Sequence, residues 1–128
     1  MVRLLAALAA LALAAAAPAP AQERRPVVYV APIEGIIDLG LAPFVQRVLD
    51  QAAAEGAAAV VLEVNTFGGR VDAAVQIRDA LLGARVPTLA YVNRRAISAG
   101  ALISLAAQHL GMAPGATIGA ATPVQAGG

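Results

Sequence analysis

Short runs of β-branched and aliphatic residues alternate along this chain with longer segments of helical period, and that alternation leaves few folds open to it. Val27 to Ile33 (VVYVAPI), Ala58 to Val64 (AAVVLEV) and Pro87 to Val92 (PTLAYV) are each short enough to read as buried strands rather than helices. Pro87 is the first residue of its run, where a strand tolerates proline. Between the first two runs, Leu41, Phe44, Val45, Val48, Leu49 and Ala52 mark one stripe of an amphipathic helix, and Gly56 is placed to end it in a left-handed conformation. A second helix over Val71 to Leu82 sets Asp72, Gln76 and Asp79 against Val71, Ala74, Val75 and Leu81; Arg78 intrudes on its apolar side and Gly83 closes it. Ala99 to Leu110 is apolar nearly all round, as in a helix buried in a core or a subunit contact. Strands alternating with helices predict an α/β fold with right-handed crossovers and a mostly parallel sheet. The strands lack clean polar alternation, which predicts a sheet covered on both faces.

The ends of the chain read differently. Arg3, the uninterrupted apolar run Leu4 to Ala17 and the small-x-small triplet Ala19-Pro20-Ala21 have the form of a secretory signal over residues 1–21. The run is shorter than the roughly 20 apolar residues a bilayer crossing needs, so a cleaved signal is favoured over a retained anchor. Residues 22–26 form a short linker, and residues 27–128 make one small domain. The Gly-, Ala-, Pro- and Thr-rich tail from Met112 to Gly128 does not resemble a domain end, so the chain is expected to be the N-terminal part of something longer, its fold incomplete at the C-terminus.

Composition excludes several chemistries. All nine basic residues are arginine, and without Arg3 eight of them face eight acids, which offers no basic surface to nucleic acid. There is no cysteine for disulfides or thiolate chemistry, and the single histidine, His109, rules out a multi-histidine metal site. No metal or cofactor is expected. Glu34, Asp38 and Glu63 have no ligand spacing and read as ordinary strand and turn charges.

Two features fall at the carboxyl ends of strands, where open α/β sheets place their sites. Gly68-Gly69 follows the second strand through an expected turn, Asn65 to Gly69, and could present backbone N–H groups to an anionic oxygen; it could equally be turn punctuation. Ser98, within Ala96-Ile97-Ser98-Ala99-Gly100, stands between the third strand and the next helix. There it could expose its Oγ beside the Ala99 N–H, as in a nucleophile elbow, although Ala96 stands where that motif has its first glycine. It could equally be an N-cap. Together the two offer oxyanion donors beside a hydroxyl nucleophile.

Three stretches in order, Asn65 to Val71 (NTFGGRV), Asn93 to Ala101 (NRRAISAGA) and Met112 to Ala120 (MAPGATIGA), resemble the protease domain of NfeD, the membrane-bound partner of stomatin-like proteins, a domain similar in fold to ClpP and to signal peptide peptidase A. The likeness runs from about Val27 to Val124. It implies a ClpP/crotonase-like spiral of ββα units and a Ser/Lys dyad. Ser98 then matches the nucleophile, Gly69 and Ala99 match the oxyanion-hole donors, and Gly68 and Gly100 shape the loops around them. Phe67 departs from the family, which usually has proline there. The resemblance further implies cleavage of hydrophobic segments of membrane proteins, a stomatin-like partner, a homo-oligomer, and a place in the periplasm or on the extracytoplasmic face of a membrane. The family's lysine base would lie past Gly128, and arginine cannot replace it because it stays protonated. His109, expected at the far end of the helix begun by Ser98, lies about 16 Å away along its axis and reads as a helix-end residue. Two other functions share these motifs: a non-catalytic binding or assembly module on the same fold, and a crotonase acting on acyl-CoA, which export disfavours.

Overall fold

A computed structural model describes residues 25–122; the expected signal at residues 1–21 lies outside them. The elements are β1 (Val28–Ile37), α1 (Leu41–Ala54), β2 (Ala59–Gly69), α2 (Val71–Leu82), β3 (Thr88–Ile97), α3 (Ala99–Ala106), β4 (His109–Met112) and β5 (Thr117–Gly119). The strands form one sheet in the order β1-β2-β3-β4, with β5 also pairing β3, and every pairing is parallel.

The strands run further than their apolar cores suggest. β1 passes through Glu34-Gly35 on a bulge, with Gly35 at φ +70°, and β2 continues from Val64 to Gly69 where a turn was expected. A bulge bends its strand. The β2/β3 ladder loses register at the same level, between Val64 and Thr66. Below this level β3 pairs with β4 through Leu89 to Val92, and above it with β5 through Arg95 to Ile97. The sheet therefore has two tiers, and the upper one carries the strand ends of interest.

Burial alternates along the strands after all. Ala31 and Ile33 of β1, Val60, Leu62 and Val64 of β2, and Ala90 and Val92 of β3 are fully buried beneath the helices. The opposite face is open: Val30 is 60% exposed, and Val28 and Tyr91 are also exposed. The expectation of a sheet covered on both faces is thus corrected, since the open face is itself apolar and this hid the alternation in the sequence.

The helices begin and end for local reasons. Asp38 Oδ1 accepts the N–H groups of Gly40 (2.9 Å) and Leu41 (3.1 Å), satisfying donors that the first turn of α1 cannot. Gly56 follows the end of α1 at φ +66°, the left-handed position its sequence suggested. In α2 the buried face is Ala73, Ala74, Ile77 and Leu81, so Val71 is not on it; Asp72, Gln76 and Asp79 face solvent as expected. Arg78 pairs with its neighbour Asp79 at 2.6 Å.

α3 stops at Ala106, well short of Leu110. Ala107 is extended, and the Gln108 N–H donates to Thr88 Oγ1 at 3.1 Å, which turns the chain into β4 beside β3. His109 is consequently an exposed strand residue in register with Leu89, not a helix end. It is still remote from Ser98, roughly 30 Å along nine residues of strand.

Asp38→Ala is expected to lower stability by about 1 kcal/mol in urea denaturation. Glu34→Ala, at an exposed position without such a role, should stay within about 0.5 kcal/mol of the parent. Gly100→Ala should cost about 1–3 kcal/mol by overpacking, because its Cβ would lie 2.5 Å from Thr66 Cγ2 in the core. A neutral result for Asp38→Ala or Gly100→Ala contradicts the contact assigned to it.

Candidate active site

Ser98 sits in a backbone conformation that side chains avoid. Its φ of 54° and ψ of −119° place a non-glycine residue in a sparsely populated region, at a cost of about 1–3 kcal/mol. Such a bend lets the chain leave β3 and enter α3 within one residue, a sharp strand-to-helix turn of the shape found in a nucleophile elbow. The surroundings hold it in place. The Ser98 N–H donates to the Gly119 carbonyl of β5 at 2.8 Å, and its carbonyl accepts the N–H groups of Ala101 (2.9 Å) and Leu102 (3.3 Å). Ser98 occupies the N-cap position of α3, as the alternative had it, but its hydroxyl makes no capping hydrogen bond. Ser98 is partly exposed.

The glycines explain how a second strand end reaches this bend. Gly68 is buried at φ +108°, and a Cβ built on it would lie 2.9 Å from both Ser98 Cβ and the Ile97 carbonyl oxygen, and 3.3 Å from Ala99 N. Only a residue without a side chain lets β2 press against the elbow. Gly69, at φ +159°, is bound on the other side: its Cβ would fall 2.2 Å from the Ile37 carbonyl oxygen. Gly100 lets the first turn of α3 settle on Thr66. The structure therefore brings Gly68, Ser98 and Ala99 together, with Gly69 adjoining and Gly100 beneath.

Thr66 organises the loop and was missed from sequence. It is 2% exposed; its hydroxyl donates to the Gly35 carbonyl at 2.5 Å and accepts the Gly68 N–H at 2.9 Å. One side chain thus ties the β1 bulge to the glycine pair. The signal was present, because Val60, Leu62, Val64 and Thr66 keep a period of two into what reads as a turn.

These bonds decide which N–H groups are free. The Gly68 donor is taken by Thr66. Arg70 N–H donates to the Ile37 carbonyl at 2.8 Å, and since a parallel ladder draws its bonds from alternate residues, the Gly69 N–H is turned away from β1. Ala99 opens α3, where the first N–H groups have no partner within the helix and the helix dipole is positive. A partly exposed hydroxyl thus stands close to N–H donors suited to an oxyanion, an arrangement able to support acyl transfer.

Of the charges nearby, Arg70 is paired with Asp72, while Arg95 lies against an aromatic ring. Arg70 holds Asp72 through hydrogen bonds of 3.0 and 2.6 Å, which keep the Asp72 carboxyl below the usual carboxylate range. The Arg95 guanidinium lies over the Phe67 ring, 4.4 Å from its centroid. Glu63 accepts from the Asn93 amide at 3.1 Å, Asp38 accepts the Gly40 and Leu41 N–H groups in the turn before α1, and Glu34 is exposed on the bulge; the three are not gathered into one site. Among the described residues no group of three or more His, Cys, Asp or Glu could hold a metal ion, and no helix is long and apolar enough to cross a membrane. A hollow of about 410 Å³ lined by Leu39, Ala42, Pro43, Gln46 and Gln76 includes none of the candidate site residues.

Comparison with known proteins agrees with this fold. The family model described as the NfeD1b N-terminal domain matches residues 27–128. The chain is 43% identical over 108 residues to the membrane protein NfeD1b of Bacillus subtilis, covering 84% of this chain and 25% of that protein. It is 36% identical over 101 residues to the membrane-bound protease PH1510 of Pyrococcus horikoshii, covering 77% and 23%. The chain thus spans about a quarter of the length of these curated relatives. Among solved structures, the 1510-N membrane-bound stomatin-specific protease, also of Pyrococcus horikoshii, superposes as a serine-to-alanine mutant with a TM-score of 0.74 at 33% identity, covering 82% of this chain and 54% of that one. Its lysine-to-alanine mutant in complex with a substrate peptide gives 0.74 at 35% identity, covering 78% and 47%. A ClpP1 mutant from Listeria monocytogenes gives 0.58 at 27%, covering 61% and 46%, as expected for a ClpP-like α/β fold. With a family model matching nearly all of the described chain, and its strand ends meeting at Ser98, the protein belongs to the NfeD1b N-terminal-domain family.

Proposed function

We propose that this chain carries the nucleophile and oxyanion hole of a serine endopeptidase that cleaves hydrophobic segments of membrane-associated proteins. One observation carries it: Ser98 is held in a strained elbow with the Cβ-less Gly68 directly against it. In the reaction, Ser98 Oγ attacks the scissile carbonyl carbon as a base takes its proton, and the Gly69 and Ala99 N–H groups receive the charge on the carbonyl oxygen. Collapse of the tetrahedral species breaks the C–N bond, and the same base returns its proton to the leaving amine. Water then releases the acyl group from Ser98.

The base is assigned to a lysine outside these 128 residues, which contain arginine as their only strongly basic residue type. His109 is ruled out by its place in β4. The work is done on the extracytoplasmic side of a membrane or in the periplasm, in a homo-oligomer, on hydrophobic peptide segments such as those of a stomatin-like protein. The names of the relatives, a membrane-bound protease and a stomatin-specific protease, support the membrane, the proteolysis and the stomatin-like substrate in this reading.

A second function on the same fold, a non-catalytic ClpP-like module that binds or assembles with a stomatin-like partner, would need no base. A fluorophosphonate probe separates the two. The full-length protein should be labelled at Ser98, and Ser98→Ala should abolish the labelling. Labelling that survives the substitution removes Ser98 as nucleophile, and a correctly folded full-length protein that is never labelled favours the module.

A further inference from the structure

Two glycines in succession give β2 the shape it needs at the Ser98 elbow, and they are also the freest dipeptide a chain can have. Rotation about Gly68 and Gly69 would swing the peptide between them, and with it the Gly69 N–H, out of any fixed direction. An oxyanion donor is useful because it is aimed before the reaction begins. The aim must therefore come from outside the pair, and the structure has one bond on either side. Beyond it, the Arg70 N–H donates to the Ile37 carbonyl at 2.8 Å. Before it, the Gly68 N–H donates to Thr66 Oγ1 at 2.9 Å.

The second bond depends on how Thr66 spends its own proton. A hydroxyl has one to give. Two carbonyl oxygens lie within reach, that of Gly35 at 2.5 Å and that of Gly68 at 3.4 Å, and the closer one on the β1 bulge takes it. A lone pair is then left for the Gly68 N–H. The side chain is held in this setting. A β-branched residue is stiff at χ1, and the Thr66 methyl sits over Gly100, where a Cβ would come within 2.5 Å of it. Thr66 is 2% exposed, so both bonds are sheltered from solvent.

We propose that Thr66 is a positioning residue for the oxyanion hole: its hydroxyl, anchored on the Gly35 carbonyl, holds the Gly68 N–H and so aims the Gly69 N–H at the oxygen of a group bound to Ser98. The proposal rests on the peptidase function above and deepens it. Valine has the shape of threonine and can make neither bond. It leaves the buried Gly68 N–H without a partner, a cost the chain relieves by rotating Gly68 away from its φ of +108°. That rotation turns the next peptide, which carries the Gly69 N–H.

The test is the rate at which an alkyl fluorophosphonate labels Ser98 in the full-length protein. Thr66→Val should slow labelling about 10- to 100-fold, somewhat less than the loss of a whole oxyanion donor. Thr66→Ser, which keeps the hydroxyl, should recover most of the rate. Thr88→Val removes a hydroxyl that is just as buried, at the far end of β3, where it accepts the Gln108 N–H at 3.1 Å. It should lose stability to a similar degree in urea and keep the parent's rate. The proposal is overturned if Thr66→Val reacts as fast as the parent, if Thr66→Ser is no faster than Thr66→Val, or if Thr88→Val is slowed as much. Hydrogen exchange resolved to single residues checks the parent without any substitution. The Gly68 N–H should exchange far more slowly than the Gly69 N–H, and equal rates overturn the proposal even if Thr66→Val does not fold. A folded parent that is never labelled removes the peptidase function and the positioning function with it; a labelled parent with an unaffected Thr66→Val removes the positioning function alone.

Discussion

The upper tier of this molecule depends on one close approach, that of Gly68 to the bend at Ser98. A left-handed serine is unfavourable by itself and persists only where its surroundings permit nothing else. β5 holds its N–H, the first turn of α3 holds its carbonyl, and β2 fills the space beneath with a residue that has no side chain. Any Cβ at position 68 would compete for the volume of Ser98 Cβ and the Ile97 carbonyl. The elbow and the glycine strand are therefore two halves of one packing solution.

That solution spreads outward through Thr66 and Gly35. The bulge at Gly35 brings its carbonyl to the Thr66 hydroxyl, and the same hydroxyl takes the Gly68 N–H. The consequence is chemical as well as structural. With the Gly68 N–H occupied, the proposed oxyanion donors are those of Gly69 and Ala99. The lower tier supplies rigidity: its fully buried Val60, Leu62, Val64, Ala90 and Val92 fix the strands whose far ends carry the site.

The order of elements from β1 to α3 was legible in the sequence because hydrophobic period survives wherever one face is buried; β4 and β5 were not, since β4 begins inside the expected third helix and β5 lies in the Gly- and Pro-rich tail. The lengths of β1 and β2 were not, since Glu34-Gly35 and Asn65 to Gly69 have turn composition yet continue the ladder as a bulge and as positive-φ glycines. Single-sided burial was hidden because Val28, Val30 and Tyr91 on the open face are as apolar as the residues opposite. His109 was misplaced because an Ala- and Leu-rich stretch fits a helix until Gln108 meets Thr88, a contact between residues far apart in sequence. For the site, Ser98, Gly68 and Gly69 could be chosen by residue type and position between elements. The strain at Ser98 and the part played by Thr66 could not, because both arise from packing between strands.

The most direct test is a crystal structure of the full-length protein after reaction with a peptidyl phosphonate carrying apolar side chains. The account predicts phosphorus bonded to Ser98 Oγ, Ser98 still in its left-handed conformation, and one phosphoryl oxygen within hydrogen-bond reach of both the Gly69 and Ala99 N–H groups. Phosphorus on another residue, or a phosphoryl oxygen turned to solvent with both N–H groups unengaged, would contradict it.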